Sequence, residues 1–449
     1  MVNNCPFYTD PLAFSTTLGT GSAPDSFVGT SGVDSISIED LSKSVSLTAL
    51  ESNDNITVSN IAGFVSGYTL KGGAGEDTFI TNTTTLASSF LNGNQGNDNF
   101  AGIGAFNGTS LTSTTLQGGQ GNDTITLAGT VASSIVNGNM DDDTITTAGA
   151  SNSSIYGGQG RDTINVIGTT VLSEINGDKD GDTINVGTAL ATRINQSTIL
   201  GGDAGDTINL GVGIASFTDS SVYGGAGNDT LAATAATVAV RLYGEDGDDT
   251  ITGGTGNDTV SGGIGSDTVS GGNGNDTITG GVGADLLTGS AAVRVAGNAE
   301  TNTFVFAVGD SFTTTGVTGA TATFTNGSTT LVDVITDFTV SAAGVGDKIE
   351  FAVAAENVTQ TGGLGASASI ANGVVTINQG ATALNAGFNR VYVAGTWVQG
   401  TGVFTDTVGG PSYMTFQVNL AAGLAANTAL NITNQFNSAE VVILSLPVF

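Results

Sequence analysis

Between Gly253 and Gly289 an apolar residue stands at every ninth position: Val260, Val269, Ile278 and Leu287. The first three each sit between threonines or serines, a pattern that predicts a short strand with one side chain inward and two outward. Upstream, the same inward position recurs at wider spacing as Phe79, Phe100, Ile125, Ile145, Ile164, Ile184, Ile208, Leu231 and Ile251. A second apolar series, Leu70, Leu91, Leu116, Val136, Ile155, Ile175, Ile199, Val222 and Leu242, keeps step with the first. Two such ladders predict two stacks of strands, each stack lining one side of a thin core. Helical periodicity is absent, so the expectation is an all-β protein.

Between the two ladders lies a repeated turn. The tandem stretch reads GGTGNDTVS GGIGSDTVS GGNGNDTIT GGVGADLLT, four units of the form G-G-x-G-x-D-x-U-x with U apolar. Glycines at the first, second and fourth places let the backbone reach positive φ and turn tightly with its carbonyls inward. Asp258, Asp267, Asp276 and Asp285 then bring a carboxylate to the same place in each turn. Carbonyl and carboxylate oxygens at short range, without nitrogen or sulfur, suit a hard cation of calcium's size.

The unit resembles the calcium-binding nonapeptide of the RTX (hemolysin-type calcium-binding) family. That resemblance implies a right-handed parallel β-roll, or β-solenoid, with several Ca2+ ions held between consecutive turns of an edge by Asp carboxylates and turn carbonyls. A Gly/Asn/Asp-rich linker is the alternative, but a linker has no reason to keep an apolar residue at every ninth place.

The pattern extends far upstream. GGAGEDTF, GNQGNDNF, GGQGNDTI, GNMDDDTI, GGQGRDTI, GDKDGDTI, GGDAGDTI, GGAGNDTL and GEDGDDTI place Asp77, Asp98, Asp123, Asp143, Asp162, Asp182, Asp206, Asp229 and Asp249 at the acidic position. Their separations of 19 to 25 residues fit full coils, with the calcium turn on one edge and a variable loop on the other. In the tandem stretch, Asp249, Asp267 and Asp285 should share one edge, and Asp258 and Asp276 the other. Turn glycines matching the family's motif are Gly72, Gly118, Gly157, Gly201, Gly224, Gly253, Gly262, Gly271 and Gly280.

The expected organisation is an N-terminal arm over 1–28, a roll over 29–290 and a C-terminal β domain over 291–449. Within the roll, 29–70 are degenerate coils, 71–252 coils of about 20 residues and 253–289 tandem nonapeptides. Alternating segments such as TFVFAV, GVVTI and MTFQVNL predict antiparallel or mixed strands in the last part. There, TNTFVF followed by DVITDFTVSAAGVGDKIEF resembles the segment that closes the roll in RTX proteins, with Asp333, Asp337 and Asp347 as matching acids. Capping the roll is the role expected of it. The terminal VVILSLPVF reads either as a last strand or as the uncleaved signal of type I secretion that the resemblance implies.

Charge sharpens the picture. The protein has 9 Lys+Arg against 40 Asp+Glu, a formal charge of −31, and 29 of the acids fall in 29–290 against 6 bases. Acid gathered at the turns repels phosphate, so nucleic acid and anionic membrane are poor partners. There is no apolar run long enough to span a bilayer, nor a basic and apolar N-terminal leader. A single cysteine, Cys5, cannot form an intrachain disulfide.

With no histidine in the sequence, Ser-His-Asp and Cys-His arrangements and HExxH zinc sites are excluded, and no GxSxG is present. The expectation is a non-enzymatic, secreted, calcium-folded structural protein of a bacterial surface or extracellular matrix, an S-layer or filament subunit, whose composition is similar to that of S-layer proteins. Its expected partners are other copies of itself, the type I secretion machinery and surface polysaccharide. Calcium storage alone, an adhesin and an ice-binding protein stay open as alternatives. An adhesin would use Tyr392, Trp397 and Tyr413 of the C-terminal part. An ice-binding protein would use outward pairs such as Thr124 with Thr126, Thr144 with Thr146, Thr250 with Thr252 and Thr277 with Thr279, in an array broken by Asn165, Asn185, Asn209 and Ala232.

Overall fold

The computed structural model describes residues 25–38, 44–58, 64–81, 85–100, 110–189, 192–211, 213–290, 300–307, 333–335, 348–352, 367–371, 374–378, 387–398, 403–406, 412–420, 429–432 and 441–445. Every regular element among them is a strand. The protein divides into two compact units, Met1–Thr230 with Ala235–Thr237 and Leu231–Thr234 with Val238–Phe449.

One coil of the first unit shows how the sequence builds it. Thr69–Ala74 runs extended, with Leu70 inward. An acidic turn reverses the backbone into Thr78–Thr81, and the path continues through Thr85–Ala87. A tight bend at Ser88 then returns it to Phe90–Gln95, directly beside Thr69–Ala74. Leu70 pairs with Leu91, Leu91 with Leu116, Leu116 with Val136, Val136 with Ile155, Ile155 with Ile175, Ile175 with Ile199 and Ile199 with Val222, all in parallel register. On the facing sheet Ile125, Ile145, Ile164, Ile184 and Ile208 pair in the same manner. Phe79 and Phe100 stack with ring centroids 4.4 Å apart. All these residues are at most 2 % exposed, so both expected ladders are present and meet in one core. Burying each such side chain contributes roughly 1.5–3 kcal/mol.

The facing side of the coil is the longer one. It adds a third inward position, filled by Leu86, Leu111, Val131, Ala150, Thr170, Ile194 and Phe217. Between Thr124–Ala132 and Thr144–Ser151 the register shifts by one residue after Leu127.

In the second unit the strands shorten and equivalent residues stand 18 apart, two nonapeptides per coil. Arg241–Asp246, Thr259–Ile264 and Thr277–Val282 form one parallel stack. Thr250–Thr252, Thr268–Ser270 and Leu286–Thr288 form the other. Because successive nonapeptides alternate between stacks, Thr250–Thr252 and Thr277–Thr279 lie on different sheets, so the paired threonines do not make one array. In the first unit the outward row Thr144, Thr163, Thr183 and Thr207 is in register. Beside it the amides of Asn165, Asn185 and Asn209 bond to one another at 2.9 Å.

Parallel pairing also continues beyond the last nonapeptide. Thr303–Ala307 adds to Thr277–Val282, Lys348–Ala352 to Thr303–Ala307, and Asp333–Ile335 to Leu286–Thr288. Antiparallel strands follow. Gly387–Val398 pairs with Val403–Asp406 and Ser412–Leu420, and Val374–Asn378 with Ser367–Ala371 and Ala429–Ile432. Tyr392, Trp397 and Tyr413 lie on these strands. Val441–Ser445, within the terminal VVILSLPVF, pairs with Asp333–Ile335 and Ser412–Leu420. At the other end, Asp25–Val28 pairs with Val45–Thr48, so strand structure reaches back into the stretch expected to be an arm. Cys5, Asp337 and Asp347 lie outside the described residues.

Candidate metal centres

Each acidic turn buries its aspartate. Asp34, Asp54, Asp77, Asp98, Asp123, Asp143, Asp162, Asp182, Asp206, Asp229, Asp249, Asp258, Asp267, Asp276 and Asp285 are all 1–2 % exposed. A carboxylate sealed in this way needs partners for both oxygens.

The first oxygen has one within the protein. From Asp54 to Asp229, Oδ1 of each aspartate accepts the backbone N–H of the aspartate one coil earlier, while Oδ1 of Asp258 accepts that of Val240 at 2.9 Å. From Asp34 to Asp229 this gives an unbroken series of bonds of 2.7–2.8 Å. In the second unit the expected division of edges is present. Asp249, Asp267 and Asp285 are linked at 2.8 and 2.9 Å, and Asp258 with Asp276 at 2.8 Å.

The second oxygen is the informative one. Oδ2 of Asp54, Asp77, Asp98, Asp123, Asp143, Asp162, Asp182, Asp206 and Asp267 is buried with no hydrogen-bond partner among the described residues. In every one of these turns but that of Asp54, where Ala49 takes the place of the glycine, it lies against the first glycine of its own turn, where a Cβ would overlap it. At Gly72, Gly118, Gly157, Gly201 and Gly262, that same Cβ would also meet the carbonyl oxygen of the first glycine of the next turn: Gly93, Gly138, Gly177, Gly224 and Gly280. Asp258 differs, since its Oδ2 accepts Gly254 N–H at 2.7 Å. Carboxylate and carbonyl oxygens are therefore packed side by side with no donor between them. Either a proton on the carboxylate or a metal cation satisfies such a set, and at neutral pH an all-oxygen set suits calcium. No three carboxylates gather among the described residues, as expected when each turn supplies one acid and the backbone supplies the rest.

Burial carries an electrostatic cost for these groups. Desolvation pushes Asp77 and Asp162 up to about 6, Asp54, Asp123, Asp206 and Asp267 to about 7, Asp98 and Asp182 to about 8, and Asp143 to about 9. For most of them a neighbouring carboxylate adds to the rise, and the backbone N–H bond opposes it. The metal supplies what the protein withholds, a positive charge that lets these groups ionise where they stand.

The ladder begins in the degenerate coils: Asp34, whose turn GTSGVD fits the repeat, and Asp54, whose turn SNDNI fits it less well, both belong to it. Four turn glycines were not evident from the motif. Gly93, Gly138, Gly177 and Gly244 hold the place of the first glycine, although the residue after each is not glycine. Asn94, Asn139, Asp178 and Glu245 occupy that second place with φ of 78–85. The signal was available, because D-x-[IL] persists at every one of these turns except that before Phe100.

The opposite edge of the first unit is not the variable loop that the spacing implied. Ser89, Thr114, Ser134, Ser153, Ser173, Ser197 and Ser220 form a second ladder, each hydroxyl oxygen accepting a backbone N–H from the preceding coil at 3.0–3.3 Å. A hydroxyl accepts the N–H as an aspartate Oδ1 does but donates its own proton, to the carbonyl two residues back in Ser134 and Ser173. It brings no charge, so this edge needs no metal. Ser173→Ala should leave the buried N–H of Ser153 unpaired and cost about 1–3 kcal/mol, equally in calcium and in metal-free protein folded at about pH 4, as read by urea unfolding. The bend residue just before each hydroxyl has φ of 47–52, including Leu172 at 52 where the previous coil has Asn152 at 50. Leucine is the poorest fit to that conformation, and Leu172 is 54 % exposed. Leu172→Asn should therefore stabilise the calcium-bound protein by about 1 kcal/mol, a shift visible in the same urea curves.

Stacked parallel strands, acid-lined turns and oxygen-only cradles define a calcium-binding β-roll. The comparison with known families agrees: the model of the RTX calcium-binding nonapeptide repeat (4 copies) matches residues 112–129, 137–166, 215–235, 241–269 and 261–292. The protein thus has RTX repeats, which bind Ca2+ at multiple sites. No curated protein matches it.

Proposed function

We propose that the protein is a secreted, calcium-folded structural subunit that self-associates on a bacterial surface or in the extracellular matrix as a sheet or filament. One observation carries this reading: among the described residues, nine buried carboxylates have an oxygen that the protein itself leaves without a partner, so rigidity is tied to external calcium. Inside a cell, where calcium is scarce, the acidic turns repel one another and the polypeptide stays a thread fit for export. Outside, calcium near the millimolar range fills even weak sites and hardens it. Type I export agrees with the RTX repeats, and no described helix is long and apolar enough to cross a membrane. We assign the roll no catalytic step, since its buried acids are committed to the turns and the sequence has no histidine. Surface polysaccharide is the expected anchor of the assembly. Electron microscopy of the purified protein tests the proposal. Regular sheets or fibres in calcium that dissolve with a chelator are expected, and dispersed monomers in both conditions would overturn self-assembly while leaving calcium folding intact.

A further inference from the structure

Three Asn–Gly steps occupy one register position of the first unit: Asn92–Gly93, Asn137–Gly138 and Asn176–Gly177, each in the strand that enters an acidic turn. We propose that they are calcium-gated sites of deamidation, blocked in the folded roll and reactive once calcium is lost. The inference rests on the calcium-dependent fold argued above.

Deamidation begins when the backbone nitrogen of the glycine attacks the asparagine Cγ. A new C–N bond forms, the bond between Cγ and the amide Nδ2 breaks, and ammonia leaves with the proton the glycine nitrogen gives up. Water then opens the five-membered imide at either carbonyl, giving aspartate or isoaspartate. Glycine is the most permissive following residue because it has no Cβ to hinder the attack. Ring closure requires the asparagine ψ to leave the extended region, which is where a strand holds it.

The fold fixes these residues in three ways. Each strand is paired on both sides in parallel register. Each asparagine Oδ1 accepts the N–H two residues on, from Asn94 and Asn139 at 2.9 Å and from Asp178 at 3.0 Å, which turns the amide away from the glycine nitrogen. Asn92 Nδ2 donates to Gln117, and Asn176 Nδ2 to Asp178. Finally, Gly93, Gly138 and Gly177 are wedged between a buried aspartate Oδ2 and the next coil's carbonyl, so the backbone there has no room to rotate while the turn stands.

The product would also be irreversible for the fold. Isoaspartate inserts a methylene into the main chain immediately before a turn glycine, displacing the register that brings the buried aspartates into line. Protein kept without calcium would thus lose its capacity to fold, whereas protein folded promptly would keep it.

The test uses the full-length protein at neutral pH in three buffers: calcium, EGTA, and urea with EGTA. Water carrying heavy oxygen marks each new carboxyl, peptide mapping locates it, and circular dichroism is recorded in parallel. Label at Asn92, Asn137 and Asn176 should enter more than about tenfold faster in EGTA and in urea than in calcium, the factor given by an opening cost of about 1.4 kcal/mol. Readdition of calcium should restore β signal in inverse proportion to the label. Equal rates in calcium and EGTA with the spectrum lost in EGTA would overturn the shielding by the fold. Slow labelling and an unchanged spectrum in EGTA, with fast labelling in urea, would overturn the gating through failure of the calcium-dependent fold itself.

Discussion

Removing calcium at about pH 7.5 should unfold the roll, and acidifying the same metal-free solution to about pH 4 should bring strand structure back. The sign follows from the buried aspartates. Their folded-state values, from about 6 at Asp77 to about 9 at Asp143, lie above the ordinary carboxylate value near 3.8. The metal-free fold therefore binds protons more tightly than the unfolded polypeptide does. That protonation-linked stability is fully present below about pH 4 and is lost as the pH rises through the folded values, roughly 6 to 9. Calcium reverses the trend, because metal and proton compete for the same oxygens and calcium wins as the protons leave. Circular dichroism across pH, with calcium and with EGTA, should give two curves that diverge upward from about pH 5. Parallel curves would contradict the assignment of these carboxylates to the metal.

The second large effect is a change of sign within a single substitution. Asp143→Asn keeps an oxygen to accept the N–H of Asp123, now 2.7 Å from Oδ1, but replaces the partnerless Oδ2 with a neutral amide. Without calcium, the variant should keep its strand structure to a higher pH than the parent, since no charge is buried at that turn. With calcium it should be less stable and should hold fewer ions, because a carboxylate oxygen has gone from between two turns. Asp143→Ala, by contrast, should be destabilised in both conditions, by about 1–3 kcal/mol without calcium from the orphaned N–H alone. Urea unfolding in calcium and in metal-free buffer at about pH 4, with the pH at which metal-free protein loses its strand signal, reads these outcomes.

The repeating half of the molecule was legible because its two signals are strictly periodic. Inward residues such as Ile155 and Ile164 and the acid between them recur once per coil, and each coil can pack only on its neighbours. Reading the other edge failed for an equally physical reason. Ser153 and Ser173 perform the backbone task of an aspartate with a small neutral group, and isolated serines in a sequence rich in Ser and Thr do not stand out. The turn around Asp54 matches the repeat less well because it has no glycine, yet Ser52 adopts φ of 80 in its place. The threonine pairs divide by the geometry of the coil. Thr124 with Thr126 and Thr144 with Thr146 are in register on one sheet, but a nonapeptide is half a coil, so Thr250 with Thr252 and Thr277 with Thr279 stand on different sheets.

The most direct test is the calcium content of the folded protein. After exhaustive dialysis against trace calcium, elemental analysis of material whose circular dichroism still shows the roll should find several tightly held calcium ions per molecule. Protein equally folded but free of metal would mean that the buried oxygens are satisfied in some other way, and the account built on them would not stand.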